Sequence, residues 1–327
     1  FMEINPPMSD SYQPLLLDAN LVTKVWGGRS LQTVMHKALP TDEPYGESWE
    51  LHDSATIASG PHAGRTLGEL LSEMGTDLIG EDNDPAEGFP LLAKFLDAND
   101  WLSIQVHPND EQAAKLEGEP RGKTEAWLVL HAEPGAKLVY GVKSGTSRDA
   151  MAQSIREGNL EDYVVYAEVK QGDVLLMEAN AVHALGPGLL IYEIQQSSNT
   201  TYRLYDWNRM GLDGKPRELH IEKGVQVSNL AFLPEVKSPW SQPGDVVRVV
   251  ECPYFATDLH RLSADNAPIE IEPQGKFHAL TCISGTMTVS SGGVDVEAST
   301  GQTLLVPAIT KRYNLAGAGE ILNSYQP

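Results

Sequence analysis

Cysteine is nearly missing from this 327-residue chain, with only Cys252 and Cys282 present, so a disulfide framework is not expected. Basic residues are scarce too. Twenty-four Lys and Arg stand against 45 Asp and Glu, a formal net charge of −21, which argues against the concentrated basic surface that nucleic acid requires. No apolar stretch approaches the length of a membrane span. The start, Phe1 to Met8, lacks the basic region and apolar run of a secretory signal, and Phe1 ahead of Met2 reads as an expression scar. These absences leave a cytoplasmic protein with neither nucleic acid nor membrane as partner. The acidity also repels anionic ligands at long range, so a site for one needs its own Lys or Arg cluster.

What is present reads mainly as β-structure. Short apolar runs punctuated by Gly, Pro, Asn and Asp predict strands near 125–131, 137–140, 173–177, 189–195, 246–250, 277–283, 286–290 and 302–306. Such a series indicates a β-sandwich or barrel. Two segments have helical spacing instead. One, near 66–80, follows Thr66 as N-cap; the other, near 147–158, begins at Ser147 and stops at Gly158. They form a small helical insert on a β body.

An internal repeat divides the chain. Gly122-Lys123-Thr124-Glu125-Ala126-Trp127 aligns with Gly275-Lys276-Phe277-His278-Ala279-Leu280, and Gly172 to Met177 aligns with Gly301 to Val306. The same register sets Arg312 opposite His183 and His278 opposite Glu125. The pattern describes two barrel modules in tandem, 8–232 and 245–327, joined by a proline-rich linker at 233–244. Only the first carries a candidate ligand set.

That set begins with Gln105-Val106-His107-Pro108-Asn109. Gln105 and His107 are two residues apart, so on a strand they share a face. Glu125 opens an apolar strand, where an inward carboxylate is costly unless paired or metal-bound. His183 follows a strand and short turn, as an inward ligand at a barrel rim would. Two imidazoles, a carboxylate and an amide suit a zinc-like ion with one position open for substrate. His36, His62 and His260 are isolated and receive no role. Lys94, Lys123 and Arg203 recur near the ligands; each alone reads as a salt bridge or snorkelling stem, and together they supply local positive charge.

At these residues the sequence resembles the type I phosphomannose isomerases, in particular their short bacterial branch. The resemblance runs from Lys24-Val25-Trp26-Gly27-Gly28 and Gly46-Glu47-Ser48-Trp49-Glu50 to Thr201-Tyr202-Arg203 and Arg217-Glu218-Leu219-His220. It implies two cupin-type jelly-roll barrels in tandem. It also implies one Zn2+ per chain, bound by His107, Glu125 and His183 with Gln105 as fourth ligand. Arg203 matches the family's catalytic arginine, and Lys94 and Lys123 match active-site basic residues. The sequence departs at Asn199, where the family often has aspartate.

The implied reaction interconverts mannose 6-phosphate and fructose 6-phosphate through a cis-enediolate, with a small-molecule sugar phosphate as partner. Lys123 is the first choice of base, on the expectation that an adjacent cation depresses its pKa. A metal-bound hydroxide or another carboxylate serves equally well at this stage. Arg203 stabilises the enediolate or holds substrate, since it stays protonated. Two other readings remain open: a cupin metal oxygenase using iron, and a non-catalytic sugar-phosphate-binding relative.

Overall fold

Residues 13–327 are described by the computed structural model; residues 1–8, and the first few of the 8–232 module, lie outside the described residues. The chain forms two compact units, each gathered from separate stretches. One consists of Leu21–Ser48 and Ala93–Ser241. The other holds residues 13–20 with Trp49–Leu92 and Gln242–Pro327. The passage at Ser241 falls inside the proline-rich 233–244 stretch. The residues before it, which the sequence groups into one module, are shared between both units.

The first unit is built on two sheets. One runs in the order Val236–Lys237, Val174–Met177, Glu125–Ala132, Leu189–Gln196, Leu91–Ala98, Tyr45–Leu51 and Asn20–Gly28. Of these, Tyr45–Leu51 and Leu91–Ala98 leave and re-enter the unit along their length. The other sheet runs Tyr202–Tyr205, Ile104–Val106, His183–Leu185, Lys137–Val142 and Val164–Glu168. Trp127, Val129, Leu175, Met177 and Ile191 from the first sheet meet Leu138 and Leu185 from the second in one buried core. Each such side chain contributes roughly 1.5–3 kcal/mol on burial, so this contact holds the two sheets face to face. Both sheets are open paths, and their hydrogen bonds do not close them into barrels.

Strand periodicity decides what the shared interior receives. On the five-stranded sheet Ile104, Val106, Val182, Ala184 and Leu204 face away from that interior, into a second core with Met151, Ile155 and Val227. These last three belong to the helices Arg148–Glu157 and Ile221–Val227. The alternate residues Gln105, His183 and Arg203 therefore take the opposite face. Their register is direct: His183 pairs with Gln105, and Arg203 pairs with Gln105 from the other side.

The helix Arg148–Glu157 begins and ends as the sequence predicts, with Ser147 Oγ accepting from Ala150 N and Gly158 left-handed at φ 72°. Asp110–Glu117 is a helix the sequence reading missed. Asn109 and Gln112 form its capping box, a signal visible in the residues themselves.

In the second unit the N-terminal strand Leu15–Asp18 pairs antiparallel with Thr303–Val306, which explains why residues 13–20 join the C-terminal part. The predicted strands 277–283 and 286–290 are one strand, His278–Ser291, with a register shift between Cys282 and Ser284. Gly285 sits at that bend with φ 81°, and a Cβ there would lie 1.9 Å from Ala318 O, so only glycine fits. Leu280, Cys282, Val289, Leu304, Tyr313 and Ile321 form its core. Leu67–Met74 is helical behind a Thr66–Glu69 capping box.

Candidate metal centre

His107, Glu125 and His183 converge inside the first unit. One ligand atom from each lies within 4.8 Å of the others, and all three are buried. His183 Nε2 is 3.2 Å from Glu125 Oε1, and His107 Nε2 is 3.6 Å from Oε2. The Gln105 amide completes the group, its terminal nitrogen 3.5 Å from His107 Nε2 and 3.4 Å from His183 Nε2. The amide's two ends exchange by rotation, which brings Oε1 to the same place. Glu125 reaches the cluster from the facing sheet as the first residue of Glu125–Ala132, flanked in register by Met177 and Gln195.

The outer nitrogens of both imidazoles are engaged elsewhere. His107 Nδ1 donates to Thr200 O at 2.9 Å, and His183 Nδ1 donates to Ala181 O at 2.9 Å. A proton on each Nδ1 leaves each Nε2 with a lone pair directed into the cluster, the tautomer that metal ligation needs. Neither Glu125 oxygen accepts a hydrogen bond of good geometry. Burial and the neighbouring Lys123 hold the His107 pKa well below its usual value, outweighing Glu125. Burial acts to raise Glu125, yet Lys123, His107 and His183 more than offset it and hold that carboxyl well below the ordinary range. A neutral imidazole beside an ionised carboxylate is the protonation state of a ligand set, so these residues fit a divalent ion.

Lys123 stands against this set, its Nζ 2.7 Å from Glu125 Oε2 and 3.2 Å from His107 Nε2. Burial pushes its pKa down, but Glu125, Glu193 and Glu47 together push it above the usual value. The depressed pKa expected from the sequence is that of a site with a cation bound, a different state of charge. Lys94 meets the anion that its place in an apolar strand calls for: Glu193 Oε1 lies 3.4 Å from its Nζ, and both are buried. Glu193 also accepts from Trp127 Nε1 at 2.9 Å, and the Trp127 ring stands edge-on to His183 at 5.3 Å. Arg203 donates from Nη1 to Glu218 O at 2.9 Å, while its buried Nε makes no hydrogen bond. Burial, then Arg217, lower its pKa, with Asp206 opposing.

Comparison with known proteins gives this constellation its context. Residues 15–134 match the catalytic-domain model of phosphomannose isomerase type I, and residues 245–326 match the cupin-domain model of mannose-6-phosphate isomerase. A mannose-6-phosphate isomerase of Streptococcus mutans is 32% identical over 319 residues, covering 96% of this chain and 98% of the relative. The chain belongs to the type I phosphomannose isomerase family. A mannose-6-phosphate isomerase of Bacillus subtilis is 31% identical, over 96% of this chain and 99% of its own. The crystal structure of the mannose 6-phosphate isomerase from Bacillus subtilis superposes with a TM-score of 0.85 at 28% identity, covering 95% of this chain and 99% of that one.

Four positions add detail to the family reading. Asn199, where the resemblance anticipates aspartate, lies exposed on the loop before Arg203. Glu193 went unnoticed in the sequence because its strand, Leu189–Gln196, is buried at every position and shows no alternation. In the second unit His278, which the repeat aligns with Glu125, is buried with Nδ1 2.8 Å from Tyr313 Oη and 3.1 Å from Asn323 Nδ2. Arg312 is exposed and 3.7 Å from Glu270. Among the described residues, His107, Glu125 and His183 are the one group of His, Cys, Asp or Glu close enough to share an ion.

Proposed function

We propose that the chain is a metal-dependent aldose–ketose isomerase interconverting mannose 6-phosphate and fructose 6-phosphate. One zinc ion would be held by His107, Glu125 and His183, with Gln105 as the fourth ligand. The observation that carries this reading is the convergence of three buried ligand atoms within 4.8 Å, in a chain of this family. The mixed nitrogen and oxygen donors, with no thiolate, suit zinc in a catalytic role. Bound there, the ion would act as a Lewis acid, polarising the sugar carbonyl and dispersing enediolate charge.

The chain's own groups account for the rest. During isomerisation a proton leaves C2 of the opened aldose and one is returned at C1, through a cis-enediolate. Lys123, with Nζ 2.7 Å from Glu125 Oε2, is the candidate base: with the ion taking up the charge of Glu125 it would give up its own proton, accept the one leaving C2 and return it at C1. Arg203 shares a sheet face with Gln105 and presents a guanidinium that stays charged, suited to holding an anionic oxygen. Lys94 is assigned to substrate binding with Lys123, as local positive charge in an otherwise acidic protein.

The catalytic role falls to the 8–232 region, and 245–327 serves as structure. Cys252 and Cys282 are not joined in a disulfide, which supports a cytoplasmic setting. No helix among the described residues is long and apolar enough to cross a membrane.

The test combines metal analysis with an isomerase assay on phosphorylated and free sugars. One zinc per chain and turnover confined to mannose 6-phosphate and fructose 6-phosphate are expected. Full turnover by thoroughly demetallated protein overturns the proposal.

A further inference from the structure

Asn180 links the two histidines of the cluster through a single left-handed turn. Its backbone has φ 76°, a conformation Asn tolerates better than other non-glycine residues. From that turn its backbone N–H donates to His107 O at 2.8 Å, and its side-chain Nδ2 donates to the same oxygen at 3.1 Å. Nδ2 also donates to Gln112 Oε1 at 2.6 Å, and Gln112 Oε1 in turn accepts from Asn109 N at 2.9 Å. The next residue, Ala181, supplies the carbonyl that accepts from His183 Nδ1. One residue thus grips the main chain of His107 and sets the carbonyl that orients the ring of His183.

We propose that Asn180 is a positioning residue for the metal centre, acting through both histidines at once. The inference rests on the reading that His107 and His183 ligate an ion. Its physical basis is that a ligand's affinity depends on the groups fixing its orientation; loss of such an outer contact costs roughly 10–100-fold in metal affinity. The side chain separates from the turn by substitution. Asn180→Gly keeps the left-handed backbone without strain and removes the amide. Asn180→Asp keeps the shape but sets a carboxylate against His107 O and Gln112 Oε1, where a donor is required.

The experiment uses the full-length zinc-loaded protein and follows zinc release into excess chromogenic chelator, alongside the melting temperature of the metal-free chain. Asn180→Gly and Asn180→Asp are expected to release zinc about tenfold faster than the parent, with metal-free melting unchanged in Asn180→Gly, where relief of the left-handed backbone offsets the lost amide. Release at the parent rate by both, or by Asn180→Asp alone, overturns the positioning role while leaving the ligand assignment intact. Faster release with a matching loss of metal-free stability in Asn180→Gly also overturns it, because the residue then acts on the fold in general. A parent that holds no zinc, or a His107→Ala variant that retains it, instead defeats the ligand assignment.

Discussion

Lys123 Nζ lies 2.7 Å from Glu125 Oε2, and both side chains are buried. Two residues apart on extended chain, they share a face, so the ammonium and the candidate ligand cannot be separated without moving the strand start. Lys123→Met keeps the stem and removes the charge. We expect zinc content to be retained and kcat to fall by about 10²–10⁴, the range attributed to a positioned proton-transfer group. In the metal-free protein the same change leaves a buried carboxylate without its cation, which costs about 3–5 kcal/mol. Metal analysis, steady-state kinetics and urea unfolding measure the three effects separately; unchanged kcat would remove Lys123 from the catalytic set.

Metal removal should act on stability as well as rate. An ion that binds only the folded chain stabilises it in proportion to the logarithm of its concentration over Kd, about 4 kcal/mol at a thousandfold excess. Chelation should therefore lower the melting temperature and abolish turnover, and added zinc should restore both. His107→Ala and His183→Ala should show neither response to zinc. A chelator-induced shift that persists in both variants would place the stabilising ion elsewhere.

Arg203 offers a sharper discrimination. Its main chain is clamped to His220, with N donating to Nδ1 at 3.1 Å and O accepting from His220 N, and its Nη1 is committed to Glu218 O. A lysine there keeps the charge but loses the planar fork. Arg203→Lys should hold zinc as the parent does and lose about 10²-fold or more in kcat, the scale of a lost charge-stabilising donor. Normal turnover by this variant would discard the assigned role.

How much of this was legible in the sequence follows from periodicity. Gln105 and His107 were readable because two apolar neighbours, Ile104 and Val106, alternate with them and claim the other face. Glu125 was readable because a charge at the start of an apolar strand needs a reason to be there. Glu193 was not, since both faces of its strand are buried and alternation carries no information. The pairing of Leu15–Asp18 with Thr303–Val306 spans nearly the whole chain, and nothing local encodes such a partner. The ionic setting of Lys123 also escaped, because Glu47 and Glu193, which act on it, are brought near only by the fold. Nothing in the sequence singles out Asn180, because the role proposed for it lies in what its turn points at.

The second unit carries its own testable consequence of burial. His278 is pushed down from 6.5 to about 4, chiefly by burial, then by His260, with Asp258 opposing. Burial lowers His260 as well. The unfolded chain takes up a proton at His278 as pH falls through about 6.5, whereas the folded chain refuses it until about 4. Between those values the unfolded state binds more protons, so stability falls as pH drops. The slope for one such histidine approaches about 1.4 kcal/mol per pH unit, or about 3 kcal/mol across the window. His278→Gln removes the titration while leaving an amide to meet Tyr313. Urea midpoints measured from about pH 7 to about pH 4 should fall more steeply in the parent than in His278→Gln, and His260→Gln should flatten the curve further. Identical pH dependence in the parent and His278→Gln would mean that the imidazole titrates alike in the folded and unfolded chain, and the burial argument for this residue would fail.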